Sequence, residues 1–254
     1  MLALQRKKSD SIQQSDIEAL KLSCGFSFIT NRLGYCGKEN AHSEFGEFLR
    51  KPNEENAGKV KRLLESFIGL HSYLAFIAEQ NDKQPFDREV IEAYWLGNEL
   101  LEDIDGESFK EFVNKTLVEK GLLPERIARK KTENLPEKIY PHHSFHVLYM
   151  NFFTKNVDAI PENLDKCIVK WGKVVDVKEN EVIVRSFNVA FDGRFFTHQA
   201  ELKTENILFP ELKRNDNVAV HWNFISKKLE DEEIANLKKY TFDNIELANL
   251  ALNR

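Results

Sequence analysis

The sequence predicts an α+β protein, with an all-α N-terminal domain at residues 1–158 and a small β-barrel with a C-terminal helix at residues 165–254. Three observations predict this fold. Apolar residues recur at helical spacing through the first half of the chain. After residue 165 they give way to short β-branched runs separated by turn residues, which is typical of strands. An acidic run at residues 230–233 then begins a last amphipathic helix.

Composition and charge limit the class of protein. A chain of 254 residues is long enough for two domains, and 30% charged with 42% apolar residues is ordinary for globular proteins. The net charge of −5 provides no basic field for phosphates, so nucleic acid is not an expected partner. No apolar run reaches the ~20 residues of a membrane span, and residues 1–14 lack the apolar stretch of a signal peptide. We therefore expect a cytoplasmic protein without a membrane partner.

Helices are predicted throughout the first half. Ser15 and Glu18 form a capping-box pattern at the start of the first helix, and glycines at positions 34 and 37 end it. One long helix is predicted over residues 60–78, and the last helix of this half is predicted to begin at Pro141. Shorter helices are expected at residues 45–49, 90–101, 109–117 and 124–131. Their short connections favour antiparallel packing.

The β-rich half follows a linker predicted at residues 156–165. Strands are predicted at residues 167–177, 182–184 and 218–222, with a turn at residues 178–180. Asp192 and Gly193 stand between two further apolar runs, and this pair is typical of a two-residue type I′ hairpin turn. Short strands on tight turns favour a closed or partly open barrel. The last helix is expected to plug this barrel or to dock on its side.

The first candidate for chemistry is the pair Cys167 and His221. The chain has three cysteines, an odd number at wide spacing, so they are expected to be free thiols. Cys167 and His221 each fall on a predicted strand, and a thiolate with an imidazole suits iron, copper, zinc or nickel. Two ligands are too few for a closed site, so they would hold a metal transiently and share it with a partner. The alternative is a buried thiol and a histidine bonded to backbone.

The second candidate is a histidine cluster, which comprises His142, His143 and His146. His142 and His146 are four residues apart on one predicted helix face, which is the spacing of histidine pairs in helical metal sites. The glutamate of hydrolytic zinc motifs is missing between them. Further ligands from other helices would be Cys36, His42 and His71. The alternative is a helix start whose histidines bond backbone carbonyls.

Residues 31–37 are the third candidate. Glycines on both sides of Tyr35 and Cys36 permit tight backbone turns near a site. In the functional interpretation Cys36 is a metal ligand or a redox thiol. In the alternative interpretation it is a buried cysteine at a helix stop.

Two segments resemble the HypC/HupF family, which are small chaperones of nickel–iron hydrogenase assembly. Residues 167–175 are similar to the family's opening motif, a Cys followed by an apolar run, Pro, Gly, Lys and Val. Residues 215–224 resemble its second motif, in which a turn leads a strand to His. The run at residues 229–233, a leucine followed by four acidic residues, is also similar, so the resemblance extends over about residues 165–250. In this chain the Cys is internal, Trp171 replaces the family's Pro, and Asn215 replaces a Gly.

This resemblance implies an OB-like β-barrel with a C-terminal helix. It also implies a second maturation protein as partner, with which the family holds an iron carrying cyanide and carbon monoxide for delivery to the hydrogenase large subunit. Carried over, Cys167 and His221 would contact the metal or the partner. In the same motifs, three residues would contact the partner: Trp171, Trp222 and Phe224.

The helical half resembles an uncharacterised family that combines such a half with such a tail. The segments that carry this resemblance are residues 31–37, 94–98 and 141–146. It implies a real site in the helical half without naming its chemistry.

The expected function is an accessory protein for metalloenzyme maturation, in particular of nickel–iron hydrogenase. Such a protein would bind iron or nickel transiently, together with a maturation protein or the large subunit of the enzyme. The sequence contains no glycine-rich phosphate loop, no Gly-x-Ser-x-Gly elbow and no Cys-x-x-Cys pair, which does not favour an enzyme of the common kinds. Two alternatives stay open: a helical metalloenzyme with the barrel as a specificity module, and a pure protein-interaction module.

Overall fold

The protein is described here by a computed structural model that covers residues 13–133, 135–151, 157–178 and 181–252. Residues 1–12, the first residue of the predicted linker and most of the predicted turn at residues 178–180 lie outside these ranges. Within them the α+β prediction is confirmed, since helices occupy the first half and a five-stranded barrel with a C-terminal helix follows. No described helix is long and apolar enough to cross a membrane.

The helices of the first half pack around a core rich in aromatic side chains. Their bounds are α1 (Gln14–Arg32), α2 (Ala41–Arg50), α3 (Glu54–Glu65), α4 (Ile68–Gln80), α5 (Arg88–Trp95), α6 (Gly106–Phe112), α7 (Glu125–Thr132) and α8 (His143–Phe145). A 3-10 turn at Glu99–Leu101 follows α5, and π-helical turns continue α6 over Val113–Leu117 and α8 over His146–Met150. The helix ends at Arg32 and Arg50 agree with the sequence prediction.

The single long helix predicted over residues 60–78 is wrong, because α3 and α4 are separated at Ser66 and Phe67. The Ser66 hydroxyl donates to the carbonyl of Leu63 at 2.6 Å and accepts the backbone N–H of Lys38 at 3.0 Å. A serine that bonds the preceding turn competes with helix continuation. Ser66 therefore ends α3 and also fixes the loop that follows α1. The apolar periodicity of residues 60–78 gives no sign of this break.

Two predicted helix starts are also wrong. Gln13, and not Ser15, caps α1, and its backbone N–H bonds the Asp16 carboxylate at 2.8 Å. Helix α8 begins at His143 and not at Pro141, because the imidazole of His142 accepts the N–H of Ser144 at 3.1 Å and acts as the cap.

Cys167 is not on a strand, in contrast to the prediction, but is the last residue of α9 (Pro161–Cys167). Proline is favoured in the first turn of a helix, and Pro161 occupies that turn here. The N–H of Ile168 bonds the carbonyl of Leu164 at 3.0 Å and closes the last turn. Much of the predicted linker is therefore helix, and this helix carries Cys167 to the junction between the two halves.

The barrel consists of β1 (Lys170–Lys178), β2 (Glu181–Phe191), β3 (Phe195–Glu205), β4 (Asn217–His221) and β5 (Phe224–Lys228). Their order is β1-β2-β3-β5-β4, and β1 pairs antiparallel with both β2 and β4. Closure is uneven, since β3 meets β5 at the single parallel pair Glu205–Phe224. Seven buried apolar side chains fill the interior: Val174, Val182, Val184, Leu212, Val218, Val220 and Ile225. The hairpin predicted at Asp192 is confirmed, although residues 192–194 connect its strands instead of two.

Helix α1 lies against the barrel. Gly25 makes this close approach possible, since a Cβ at that position would lie 2.7 Å from the carbonyl oxygen of Ser226 on β5. One turn further, Phe28 stacks on Phe224 with ring centroids 5.3 Å apart. The core that contains α1 thus continues into the outer side chains of the barrel.

The C-terminal helix α10 (Asp231–Leu252) docks on the side of the barrel and contacts the helical half as well. Its Tyr240 hydroxyl donates to the carbonyl of Asn98 at 2.7 Å. Its Asn244 amide donates to the hydroxyl of Ser144 at 3.0 Å. The first bond ties α10 to the segment after α5, and the second ties it to Ser144 of α8, next to His143.

Candidate metal centre

Three buried side chains from different parts of the chain meet where the helices join the barrel. His143, Cys167 and His221 each offer one ligand atom, and these atoms all lie within 4.8 Å of one another. Nε2 of His143 is 3.9 Å from Sγ of Cys167. The imidazole rings of His143 and His221 are nearly perpendicular, with centroids 5.3 Å apart. A thiol and two imidazoles are a soft and borderline donor set that suits transition metals.

Each ligand is fixed by the end of a secondary-structure element. His143 is the first residue of α8, Cys167 the last residue of α9, and His221 the last residue of β4. The N–H of Trp222 bonds the carbonyl of Lys166 at 2.8 Å, which ties the turn after β4 to the end of α9. The three ligands come from two helices and one strand of the barrel. The group therefore forms only when the helices and the barrel pack together.

A second layer of hydrogen bonds orients both histidines. Nδ1 of His221 lies 3.1 Å from the carbonyl oxygen of Phe26 on α1. Because a carbonyl only accepts, Nδ1 carries the proton and Nε2 keeps its lone pair. Nε2 of His221 is buried and has no hydrogen-bond partner among the described residues. A buried acceptor without a donor is costly, and a metal ion would satisfy it.

His143 has partners at both ring nitrogens. Nε2 lies 2.9 Å from the carbonyl oxygen of Cys167, and Nδ1 lies 3.0 Å from the hydroxyl of Tyr94. Since the carbonyl only accepts, Nε2 donates to it and Nδ1 accepts the Tyr94 hydroxyl. A tyrosine hydroxyl can also accept, so Tyr94 is able to support the other tautomer, in which Nε2 is free to bind a metal.

Burial keeps the three groups uncharged in the absence of a metal. It lowers the pKa of His143 to about 4 and the pKa of His221 to about 3, and the neighbouring His143 contributes to the second effect. It raises the pKa of the Cys167 thiol, and Cys36 adds to this increase. Neutral imidazoles are ready to bind a metal, whereas the thiol must lose its proton when it does so.

Aromatic rings enclose the group on the helical side. Trp95 lies 4.6 Å from the ring of His143 and 5.7 Å from that of His221, centroid to centroid. Phe26 stacks on Trp95 with ring centroids 4.9 Å apart. An apolar surrounding of this kind excludes water and strengthens electrostatic interactions inside the site.

The turn after His221 has an unusual backbone conformation. Trp222 and Asn223 connect β4 to β5 with φ of 52° and 56°, the positive values that a type I′ turn requires. Asparagine tolerates this region, but a bulky residue such as tryptophan is strained in it. Trp222 is held there by the bond to Lys166 and by the ring of Tyr35, 4.6 Å away. Strain of this kind tends to occur at functional sites.

The comparisons with known proteins identify a family. Residues 19–254 match the model of a family of unknown function, DUF6390. The chain belongs to the DUF6390 family. No curated protein and no solved structure matches it significantly.

In this DUF6390 chain the predicted metal residues do not all meet. Cys167 and His221 do, and His143 joins them, so the predicted Cys–His pair and one member of the histidine cluster form a single group. His142 instead caps α8, and the ring of His146 packs against Tyr73 at 5.4 Å. The i,i+4 pair predicted on one helix face is therefore not the group that forms, because the helix starts at His143 and continues as a π-helical turn.

Other predicted ligands lie apart from the group. His42 bonds the side chain of Asn31, and the half-buried His71 stacks on Phe86. Cys36 lies outside the group whose donor atoms are within 4.8 Å of one another. Asn31 organises the loop around Cys36, since its amide donates to the carbonyls of Cys36 and Lys38, both at 2.8 Å.

The three residues predicted to contact a partner are buried in the DUF6390 structure. Trp171 stacks on Phe187 with centroids 5.1 Å apart, while Trp222 and Phe224 pack against helical-half residues as described above. The contacts of Trp222 and Phe224 join the barrel to the helical half. Partner contact through them stays a prediction.

Sequence reasoning missed several residues that build the centre. It assigned Tyr94 and Trp95 to the core, and both are buried, but it did not find the bond from Tyr94 to His143. The carbonyl of Phe26 carries no sequence signal at all. The segment at residues 94–98, with its adjacent Tyr-Trp pair, was the available hint for this region, because the resemblance to an uncharacterised family included it.

Proposed function

We propose that this chain is an accessory protein of metallocentre assembly that binds a transition-metal ion through His143, Cys167 and His221. The observation that carries the proposal is the meeting of three buried donor atoms within 4.8 Å of one another. Buried thiols and imidazoles in contact are otherwise poor partners, since they lack the charge to form strong hydrogen bonds. A metal ion would join all three.

The residues present fit such an ion. In a tetrahedral site with metal–nitrogen and metal–sulfur bonds of ordinary length, neighbouring donors are about 3.3–3.7 Å apart. Donors that already lie within 4.8 Å would have to approach by about 1 Å. The unpaired Nε2 of His221 supports this fit. Three protein ligands leave one position open, as required for a site that takes up and releases its metal.

The resemblance to hydrogenase-assembly chaperones suggests the cargo. Cys167 and His221 are the two residues that it assigns to the metal, and their meeting in space supports that assignment. The strand order β1-β2-β3-β5-β4 supports an OB-like barrel, which is the fold the resemblance implies. We infer that the cargo is iron or nickel and that the recipient is a maturation protein or the large subunit of a nickel–iron hydrogenase. His143 adds a ligand from the helical half.

Nucleophilic catalysis by Cys167 is less well supported. A reactive cysteine needs a lowered pKa and a nearby cation. Burial raises the pKa of Cys167 and holds the pKa of His143 at about 4, so neither the thiolate nor the imidazolium is favoured near neutral pH. A metal, by contrast, stabilises the thiolate when it binds.

Metal binding to the purified protein tests the site. The protein is prepared without oxygen and without metal, incubated separately with Fe²⁺ and Ni²⁺, desalted, and analysed by mass spectrometry for bound metal. We expect about one ion per chain for wild type and loss of binding in His143→Gln, Cys167→Ser and His221→Gln. His198→Gln and Cys24→Ala are matched controls, since His198 is exposed and Cys24 lies outside the group. Equal binding in wild type and Cys167→Ser would overturn the site.

Transfer of the metal tests the assembly role separately. The metal-loaded protein is mixed with a purified metal-free hydrogenase large subunit, and the two are separated before their metal contents are measured. We expect the metal to move to the large subunit faster than it is released to buffer. Retention of the metal by a protein that binds it normally would exclude delivery to this recipient while leaving the metal site intact.

A further inference from the structure

A cleft of about 630 Å³ lies between the barrel and the first two turns of α10. Residues of β1 and β2 line it from the barrel, and Ile234 and Lys238 line it from α10. Its volume falls within the roughly 300–1,000 Å³ of clefts that bind ligands. None of the three candidate metal ligands is among the described residues that line this cleft. It is therefore a separate feature from the metal centre.

Aromatic and aliphatic side chains form the apolar part of the cleft. Trp171 and Phe187 line it together with Ile234, and the two aromatic rings stack on each other. Phe187 and Ile234 are only half-buried, so part of their apolar surface remains in water. The indole N–H of Trp171 is buried and has no hydrogen-bond partner among the described residues. Cover of the apolar surface and an acceptor for this donor would both stabilise the cleft.

Positive charge in the cleft is not balanced by nearby carboxylates. Lys173, Arg214 and Lys238 line it, and none of them forms an ion pair with a described carboxylate. Lys173 instead donates to the carbonyl oxygen of Asn215 at 3.3 Å. Asp231 is the only carboxylate among the described lining residues. Since the whole chain has a net charge of −5, the cleft is a positive site on an acidic protein.

We propose that this cleft binds an acidic segment of a partner protein that carries a large apolar side chain. The carboxylates of such a segment would pair with Lys173, Arg214 and Lys238, and its apolar side chain would cover Phe187 and Ile234. Complementary charge of this kind selects the partner and speeds its association, while the apolar contact adds affinity. The inference goes beyond the proposed metal site and does not depend on it.

The segment would bind through its side chains and not as an additional strand. Strand β1 is already paired with β2 on one side and with β4 on the other, so it has no free edge in the cleft. Lys173 and Arg214 are exposed, which places their charges where a partner surface can reach them. A small molecule, by contrast, is usually enclosed by its site over most of its surface.

Selection from a random peptide library displayed on phage tests the class of ligand. The full-length protein is the target, and the variant Lys173→Glu/Arg214→Glu/Lys238→Glu removes peptides that bind elsewhere. We expect the peptides that bind wild type alone to be rich in Asp and Glu and to share one apolar position. Enrichment of basic or uncharged peptides, or no enrichment, would overturn the proposal. Thermal unfolding verifies that the variant is folded.

Fluorescence anisotropy of a labelled selected peptide then measures its affinity. Arg214→Glu should weaken binding about 3- to 10-fold, and so should an increase in ionic strength from about 0.05 M to about 0.5 M. Ile234→Ala should weaken binding at both ionic strengths, because it removes apolar contact without a change in charge. Lys115→Glu is the matched control, since it reverses an exposed cation of the helical half outside the cleft.

The outcomes separate this proposal from the metal site. Cys167→Ser lacks a proposed metal ligand and should bind the peptide as tightly as wild type. Equal affinities of wild type, Arg214→Glu and Lys115→Glu would overturn the cleft as the binding site while leaving metal binding untouched. Displacement of the peptide by micromolar inorganic phosphate would assign the cleft to a phosphorylated ligand and would also overturn the proposal.

Discussion

The hydroxyl of Tyr94 on α5 lies 3.0 Å from Nδ1 of His143, and it connects the core of the helical half to the candidate metal centre. Metal-binding histidines commonly bond a second residue through their other nitrogen, which fixes the ring orientation and tautomer. Tyr94 performs this role for His143, and the carbonyl of Phe26 performs it for His221.

Removal of the Tyr94 hydroxyl should weaken metal binding. In Tyr94→Phe, Nδ1 of His143 loses its partner, and we expect the metal affinity to fall about 10–100-fold. A competition titration against a coloured chelator measures this change. Tyr73→Phe is the matched control, since the Tyr73 hydroxyl is buried, has no hydrogen-bond partner among the described residues, and belongs to a ring only 5.5 Å from that of Tyr94. Equal affinities of Tyr94→Phe and wild type would contradict the assigned role.

Gly97 should not tolerate a side chain. Its φ is 86°, and a Cβ there would lie 2.0 Å from the ring of Tyr240, which anchors α10. We expect Gly97→Ala to reduce the free energy of unfolding by more than about 3 kcal/mol, through backbone strain and displacement of Tyr240. Gly34→Ala is the control, because φ there is 75° but nothing lies within 4 Å of the added Cβ. Its expected cost is about 1–2 kcal/mol, from strain alone.

Denaturant unfolding monitored by circular dichroism measures both glycine variants. A similar loss for the two would show that Tyr240 moves aside without cost, and that the docking of α10 does not depend on this contact.

The Trp222–Asn223 turn predicts opposite effects of two substitutions. At φ of 56°, alanine in place of Asn223 should cost about 1–2 kcal/mol, because a β-carbon disfavours the left-handed region. Glycine at the same position should be neutral or stabilising, since it suits the second position of a type I′ turn. Thermal unfolding ranks the stability of wild type, Asn223→Ala and Asn223→Gly. A more stable Asn223→Ala than Asn223→Gly would be inconsistent with the assigned turn.

The metal-free protein should lose stability in mild acid. Burial lowers the pKa of His142, His146 and His221 to about 3 and that of His143 to about 4. An unfolded histidine titrates near 6.5, so below that pH the unfolded chain binds protons that the folded chain does not. The free energy of unfolding therefore falls as pH decreases from about 6.5 to 4, with about 1.4 kcal/mol per pH unit from each buried histidine.

Urea unfolding at several pH values, with a chelator present, measures the slope of the free energy of unfolding against pH. Replacement of His146 by Leu should reduce it by about 1.4 kcal/mol per pH unit, because one proton is no longer taken up on unfolding. His198→Gln, at an exposed position, should leave the slope unchanged. An unchanged slope in His146→Leu would mean that His146 is protonated in the folded protein.

Local patterns predicted most elements because they depend on neighbours in the sequence. The helix ends at Arg32 and Arg50, the hairpin near Asp192 and the acidic start of α10 all follow from nearby residues. The errors occur where a contact from elsewhere decides the outcome. Ser66 interrupts a helical pattern while it bonds the distant Lys38, and α9 occupies a segment whose composition resembled a linker.

For the candidate centre, the sequence alone determined which residue types are available: a cysteine and a histidine in two recognisable motifs of the barrel, and a cluster of three histidines before them. Only the tertiary structure decided that His143, and not His142 or His146, joins Cys167 and His221. The physical reason is that helix periodicity fixes which residues share a face, whereas the direction of that face depends on where the helix starts and what packs on it. Here the cap at His142, the docking of α10 and the approach of α1 to the barrel set that direction.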